Sequence, residues 1–269
     1  MTQLDLNTLF SLKGKIALIT GGSRGIGRMI AQGFLQAGAK VYITARKKAD
    51  CEETAKELSA FGPCIAIPSD IGTAQGRAAL LKAFSEKEDK LHILINNAGT
   101  NWGNVFDQYP DEAFEKVLQM NVSAVFSMTR DFVRLLENAA TPEDPARVIN
   151  VGSMDGLHIP TVSRVGTFAY TSSKAAVHHL TRNLAVTLAP RFIAVNAIAP
   201  GFFPSRMTDY IFDKYKPDIE QNALLKRVGK PEEMAAAAIY LCSKGGAYTD
   251  GAVIVVDGGT SINHQHVRT

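Results

Sequence analysis

The chain has 269 residues, 46% hydrophobic and 20% charged, with a net charge of +3. That is enough for one substantial core, and a charge so mild and so interspersed with acids excludes a nucleic-acid stripe. No apolar run is long enough to span a bilayer and no basic flank precedes an apolar core around Asp5, so the expectation is a cytoplasmic protein with no membrane contact.

The first strand, Lys15 to Thr20, runs straight into Thr20-Gly21-Gly22-Ser23-Arg24-Gly25-Ile26-Gly27 and then a helical pattern from Gly25 to Gln36. Strand, glycine turn and helix form a cradle for a dinucleotide pyrophosphate. Glycines let the backbone approach the phosphates, and the free amides and positive end of the helix attract the anion. Gly21, Ser23, Arg24, Gly25, Ile26 and Gly27 are therefore candidate cofactor ligands, with an ordinary tight turn as the alternative.

A second strand, Lys40 to Thr44, ends at Ala45-Arg46-Lys47-Lys48, about where such a fold reads the adenosine ribose. An acid there would accept the ribose 2′-hydroxyl of NAD. Ala45 followed by Arg46 removes the acid and offers a planar cation for a 2′-phosphate, which favours NADP(H) over NAD(H), with Arg24 reaching the same group. If Arg46, Lys47 and Lys48 are only a solvated cluster, NAD stays open.

Further strands follow at Cys64 to Pro68, Leu91 to Asn96, Arg147 to Val151, Ile193 to Ile198 and Ala252 to Val256. Helical patterns alternate with them at Ala49 to Ala60, Thr73 to Glu86, Asp111 to Leu136, Ala169 to Leu188 and Pro231 to Ser243. The strands are too continuously apolar to have a wet face. They predict an α/β protein, a single doubly wound (Rossmann) parallel sheet of about seven strands with helices on both faces, spanning 1–269 as one catalytic domain. Two stretches break the alternation, Met154 to Phe168 and Gly201 to Val228, and such segments at strand ends build substrate sites.

Tyr170 and Lys174 lie four apart on a helix and share a face. A phenol with a pKa of about 10 needs a neighbouring cation to serve as a base near neutrality. The pattern recurs as Tyr210 to Lys214 and Tyr240 to Lys244, but only Tyr170 follows a buried strand ending in Gly152 and Ser153, so the other two are expected to be surface pairs.

In this order, Thr20 to Gly27, Asn96-Asn97-Ala98-Gly99, Asn121, Ser153, Tyr170, Lys174, Pro200-Gly201 and Asp257-Gly258-Gly259 resemble the short-chain dehydrogenases/reductases, from about Leu12 to Gly259. Ala146 to Asn150, Pro200 to Thr208 and Pro231 to Met234 look closest to the NADPH-dependent β-ketoacyl reductases of the rhamnolipid-synthesis type. The resemblance implies hydride transfer between the nicotinamide and a carbonyl, with Tyr170 giving the proton and Ser153 a second hydrogen bond to the same oxygen. It further implies that Lys174 holds the nicotinamide ribose and lowers the Tyr170 pKa, and that Asn121 anchors a water leading to Lys174. Asp70 and Ile71 are expected at the adenine, Asn97, Ala98 and Gly99 at the ribose, and Pro200, Gly201, Phe203 and Ser205 around the nicotinamide. The implied substrate is a 3-oxoacyl thioester, with a sugar, cyclic alcohol or steroid dehydrogenase using NAD(P) as the alternative; a catalytically silent scaffold should have lost Tyr170 or Lys174.

One departure from that pattern is the seventeen positions from Ser153 to Tyr170, several more than usual, which puts an insertion around Thr161 to Gly166. Ser163 is then a rival serine, but Ser153 ends a strand and is better fixed, and the loop with His158, Ile159 and Phe168 should edge the substrate mouth. Cys51, Cys64 and Cys242 read as packing residues, and His178 and His179 as packing at a helix interface, so no metal is expected. Phe114, Val117, Leu118, Val125 and Phe126, with Ala176, Leu180, Leu184 and Leu188, predict helix faces covered by a partner chain in a homotetramer or dimer. Gly201 to Val228 would be left as a lid.

Overall fold

The computed structural model describes residues 4–160, 165–204 and 209–263, with only the backbone for 209–213. Seven parallel strands form one sheet in the order β3-β2-β1-β4-β5-β6-β7: Ile16–Thr20, Lys40–Thr44, Cys64–Ala66, Ile93–Asn96, Ala146–Val151, Ile193–Pro200 and Val253–Val256 for β1 to β7. In β1, β4, β5 and β6 every residue is buried. Because side chains alternate across a strand, each run feeds two cores at once. Ala17 and Ile19 face one layer and Ile16 and Leu18 the other.

The short helix α1 (Leu6–Leu9) precedes β1. The first layer is covered by α2 (Gly25–Gln36), α3 (Lys48–Leu58) and α9 (Pro231–Cys242) through Ile30, Phe34, Leu58, Met234 and Leu241. The second is covered by α4 (Ala74–Ser85), α6 (Ala124–Glu137) and α7 (Phe168–Leu188) through Leu80, Phe84, Phe132, Leu136 and Leu184. Each fully buried side chain of this size stabilises by about 1.5–3 kcal/mol. On β5, Arg147 is 1% exposed. Its guanidinium donates to the Leu241 and Ser243 carbonyls at 3.2 and 3.1 Å, satisfying the end of α9.

Three elements depart from the sequence reading. The helix expected over Asp111 to Leu136 is interrupted: α5 (Asp111–Leu118) gives way to a wider π turn, Gln119–Ser123, before α6. The stretch after β6 holds a helix, α8 (Asp209–Asn222), where only irregular chain was expected. Of the helix faces expected to need a partner, Val117, Val125, Leu184 and Leu188 are buried within this chain, whereas Phe126 is 43% exposed. Among the described residues no helix is long and apolar enough to cross a membrane.

Candidate active site

Strand order reverses between β1 and β4, and the glycine turn sits at their carboxyl ends, where an open α/β sheet leaves a crevice. Gly21 and Gly25 take φ of +65° and +52°, a left-handed backbone that glycine adopts freely. Gly27 is helical, but a Cβ there would lie 2.5 Å from both Asn97 Nδ2 and the Gly21 carbonyl. The N-cap of α2 is Arg24, which makes no side-chain cap, so the first amides of the helix have no capping side chain. This Cβ-free turn against an uncapped helix start fits a dinucleotide pyrophosphate.

Asn97 is drawn into the turn. Its Nδ2 donates to the Thr20 and Gly21 carbonyls at 2.8 and 3.2 Å. Thr20 Oγ1 meanwhile accepts the amides of Asn97 and Ala98 at 2.9 and 3.0 Å. Asn97 thus clamps β1 to β4 with the side chain that was expected to face a ribose. Beyond β2, Arg46 is exposed, as is Arg24, and neither makes an ion pair among the described residues. Asp70 Oδ1 accepts the Gly72 amide at 3.0 Å, and the Ile71 carbonyl accepts from buried Arg77 at 3.0 Å, which fixes the chain where adenine was expected.

The second cluster forms where β5 ends beside α7. Ser153 is buried and caps the turn Met154–Gly156, accepting the Asp155 amide on Oγ at 3.1 Å. Its hydroxyl lies close enough to the Tyr170 phenol to lower that group's pKa. One turn along α7, Lys174 Nζ lies 5.6 Å from the Tyr170 ring centre and donates to the Val151 carbonyl at 2.8 Å. Asn121, on the π turn, accepts the Thr100 amide and donates to the Thr100 carbonyl and Ser173 Oγ, all at 2.9 Å. A Cβ on Gly99 would lie 3.2 Å from Asn121 Oδ1 and 3.8 Å from Lys174 Nζ, so these three meet. The Asn121 side chain therefore pins the Thr100 segment to α7 and keeps a second acceptor position on Oδ1.

Burial pushes the Tyr170 phenol up to about 12, with the neighbouring Ser153 hydroxyl pulling it back and the Asp155 charge adding to the rise. Burial pushes Lys174 down to about 8, opposed by Asp155. The lowering of the Tyr170 pKa expected from Lys174 is not among the causes that set this shift, which burial dominates. The phenol is protonated at neutral pH, as a proton donor must be.

Beneath Ser153, His178 is 3% exposed and has no side-chain hydrogen-bond partner at either ring nitrogen. It packs against the serine's turn, which corrects the helix-interface reading. A Cβ on Gly152 would lie 2.1 Å from its Nε2, and one on Gly156 2.9 Å from its Cε1. Burial holds this imidazole neutral, pushed down to about 4.

Pro200 ends β6, and Gly201 donates its amide to the Val256 carbonyl at 2.9 Å. Phe203 turns inward, 3% exposed in the first core layer, so its ring is core and no part of an exposed nicotinamide wall. Ser205 and Ser163 lie outside the described residues, as does the Tyr210 side chain. Tyr240 is at the surface as expected, but its hydroxyl bonds Thr249 Oγ1 at 2.9 Å and not Lys244. Cys51 and Cys242 are buried and Cys64 partly so, all free thiols raised by burial.

The inserted loop is tied to the segment after β4. Asn104 and Gly166 exchange both backbone hydrogen bonds, at 3.1 and 2.9 Å, and Phe168 stacks edge-on with Phe106 and Tyr109, each at 5.6 Å. Around this bridge Trp102, Phe106, Leu157, Ile159 and Val165 are exposed. Sequence reasoning missed Thr100, Ser173 and Asp155 and gave Thr20 no duty beyond its place in the glycine motif; only the spacing of His178, one turn beyond Lys174, was there to be noticed.

A phosphate-shaped cradle at the switch point, with a serine, tyrosine and lysine clustered across the crevice, defines an oxidoreductase on the doubly wound dinucleotide fold. Residues 21–261 match the family described as Enoyl-(Acyl carrier protein) reductase. The chain belongs to the short-chain dehydrogenases/reductases. It is 49% identical to the rhamnolipids biosynthesis 3-oxoacyl-[acyl-carrier-protein] reductase of Pseudomonas aeruginosa, over 94% of this chain and 99% of that one. It is 35% identical to the 3-oxoacyl-[acyl-carrier-protein] reductase FabG of Aquifex aeolicus, over 92% and 98%. The solved Pseudomonas aeruginosa RhlG/NADP active-site complex superposes with a TM-score of 0.90 at 49% identity, covering 94% of this chain and 99% of that one.

Proposed function

We propose that this chain is an NADP(H)-dependent carbonyl reductase acting on a 3-oxoacyl thioester. The observation that carries the reading is the placing of the buried Ser153 hydroxyl at the end of β5 beside a Tyr170 phenol that burial keeps protonated, two hydroxyls able to converge on one carbonyl oxygen. When bound, the nicotinamide supplies the hydride. Tyr170 gives its proton to the developing alkoxide, Ser153 donates a second hydrogen bond to it, and Lys174 orients the ribose. Asn121 holds the Thr100 segment against Lys174 and keeps a water path to it.

Gly21, Ser23, Arg24, Gly25, Ile26 and Gly27 hold the pyrophosphate, and Asp70 and Ile71 meet the adenine. Asn97, Ala98 and Gly99 shape the ribose side, and Pro200, Gly201, the Phe203 backbone and Ser205 border the nicotinamide. Arg46 and Arg24, exposed and without ion pairs among the described residues, recognise the 2′-phosphate. The relatives named as 3-oxoacyl reductases and the NADP complex support this choice. So does the exposed apolar rim from Trp102 to Val165, which suits an acyl tail.

Residues 1–269 form one catalytic domain of a cytoplasmic homotetramer or dimer, and 201–228 act as its lid. In support of the lid, a cavity of about 450 Å³ is lined by Phe203 and Ile219 together with Val256 and Gly258. The purified protein should oxidise NADPH in preference to NADH with a 3-oxoacyl thioester, and light scattering should report more than a monomer. Turnover of only an enoyl thioester, or of only a sugar, cyclic alcohol or steroid, would overturn the substrate reading.

A further inference from the structure

Ser153 leaves the end of β5, whereas Tyr170 and Lys174 ride on α7, so the serine is set against the other two by the way residues 152–156 dock on that helix. Two glycines make the contact. A Cβ on Gly156 would lie 2.6 Å from the carbonyl carbon of Lys174 and 2.7 Å from the nitrogen of Ala175, so the turn rests directly on the helix backbone. The three atoms nearest to a Cβ on Gly152 all belong to His178, with Cδ2 at 2.6 Å and Nε2 closer still, and His178 Cε1 lies 2.9 Å from the Cβ position of Gly156. One imidazole thus meets the chain on both sides of Ser153. The serine moves with this turn, because its carbonyl accepts the Gly156 amide at 3.0 Å and its Oγ the Asp155 amide at 3.1 Å.

His178 is 3% exposed, and neither ring nitrogen makes a hydrogen bond of ordinary geometry. A buried polar ring left without partners is costly, so what it contributes here is flat bulk of a fixed reach. Gly152 has no left-handed φ, so its backbone tolerates a side chain and the imidazole is what stands in the way.

We propose that His178 is a positioning residue of the reaction: its ring is the spacer that holds the Ser153 hydroxyl at its working separation from Tyr170. The inference rests on the reading that both hydroxyls serve one carbonyl oxygen. Moving one of two converging donors by about 1 Å costs up to about a hundredfold in rate and leaves the contacts of the cofactor alone.

The test pairs His178→Ala, which removes the spacer, with Gly152→Ala, which presses on it from the other side. Each should lower kcat for NADPH-dependent reduction of a 3-oxoacyl thioester by about tenfold or more, with KM and the Kd for NADPH within about threefold of the parent. Combining the two should recover most of the loss, because the new methyl enters the room the ring has left. His178→Met, unbranched and of similar reach, should keep most of the parental kcat. Hydrogen exchange of the peptide holding Asp155 and Gly156, followed without substrate, should speed up in His178→Ala and slow again in the double variant and in His178→Met. His178→Val takes the place of His178→Ala should the larger cavity unfold the chain. Additive losses in the double variant, a fall in His178→Met as large as in His178→Ala, or exchange that rises equally across the chain would overturn the proposal. A parent that reduces no 3-oxoacyl thioester would sink the substrate assignment instead, and the exchange measurement, which needs no turnover, would still decide the role of His178.

Discussion

Replacing Gly27 by Ala pits two effects of known size against each other. Alanine gains at most about 0.8–1 kcal/mol of helix propensity over glycine, the helix-interior figure, and Gly27 sits in the first turn of α2. The new Cβ, however, lies 2.5 Å from Asn97 Nδ2 and from the Gly21 carbonyl, and each contact must open by about 1 Å to reach ordinary separation. Neither neighbour is a loose side-chain end, since Gly21 is backbone at φ +65° and Asn97 is tied to Thr20. Such overpacking costs about 1–3 kcal/mol, so the clash wins and the fold loses about 1 kcal/mol net. The cradle loses more. Displacing Gly21 and the start of α2 removes at least one charge-assisted amide bond to the pyrophosphate, about 1.5–3 kcal/mol, which is about ten- to a hundredfold in Kd for NADPH. Calorimetric titration with NADPH alongside thermal unfolding measures both. A Kd within twofold of the parent in a folded variant would refute the reasoning.

Tyr170→Phe is expected to abolish turnover while leaving NADPH binding intact, whereas Tyr240→Phe should leave the chemical step unchanged; substantial activity in the first variant would sink the assignment. Arg46→Asp should weaken NADPH by at least about tenfold and NADH little, since it sets a carboxylate against a 2′-phosphate, and equal effects on the two cofactors would reduce Arg46 to a solvated charge. His92 and His178 are both held neutral by burial, with pKa pushed down to about 4, and His92 Nδ1 accepts the Ile16 amide at 3.0 Å. Between pH 6.5 and 4 the unfolded chain therefore binds protons that the fold refuses, so stability is full above that window and falls as pH drops through it, by about 2 kcal/mol or more. Urea midpoints at the two ends measure the loss. His92→Gln, which can still accept the amide, should blunt it, and an unchanged midpoint would contradict the buried neutral state.

Strands were legible because both faces are buried, which writes an uninterrupted apolar run into each of β1, β4, β5 and β6. The π turn was not, because Gln119 to Ser123 contains no glycine or proline and an extra residue per turn leaves no mark on composition. Similarly, α8 hides in a stretch rich in lysine and aromatic residues and carries Pro217 inside it. At the site, Ser153, Tyr170 and Lys174 were readable because strand end and helix spacing fix them locally. The duty of Asn97 was not, since it depends on how close β1 comes to β4, nor was the inward turn of Phe203, which depends on the bare Gly229 beneath its ring. His178 escaped for the same reason: its slot consists of two missing Cβ atoms on another segment.

The bridge between Asn104 and Gly166 makes the entrance a joint product of two stretches far apart in the chain. Ser153, seated on β5 and its own turn, does not share in that joint, so loop length can drift without disturbing the chemistry. Grafting the inserted loop onto a relative without the segment around Asn104, Phe106 and Tyr109 would deliver half a hinge and no frame. On the proposed reading of this rim as the acyl entrance, the transplantable unit of substrate choice is the pair.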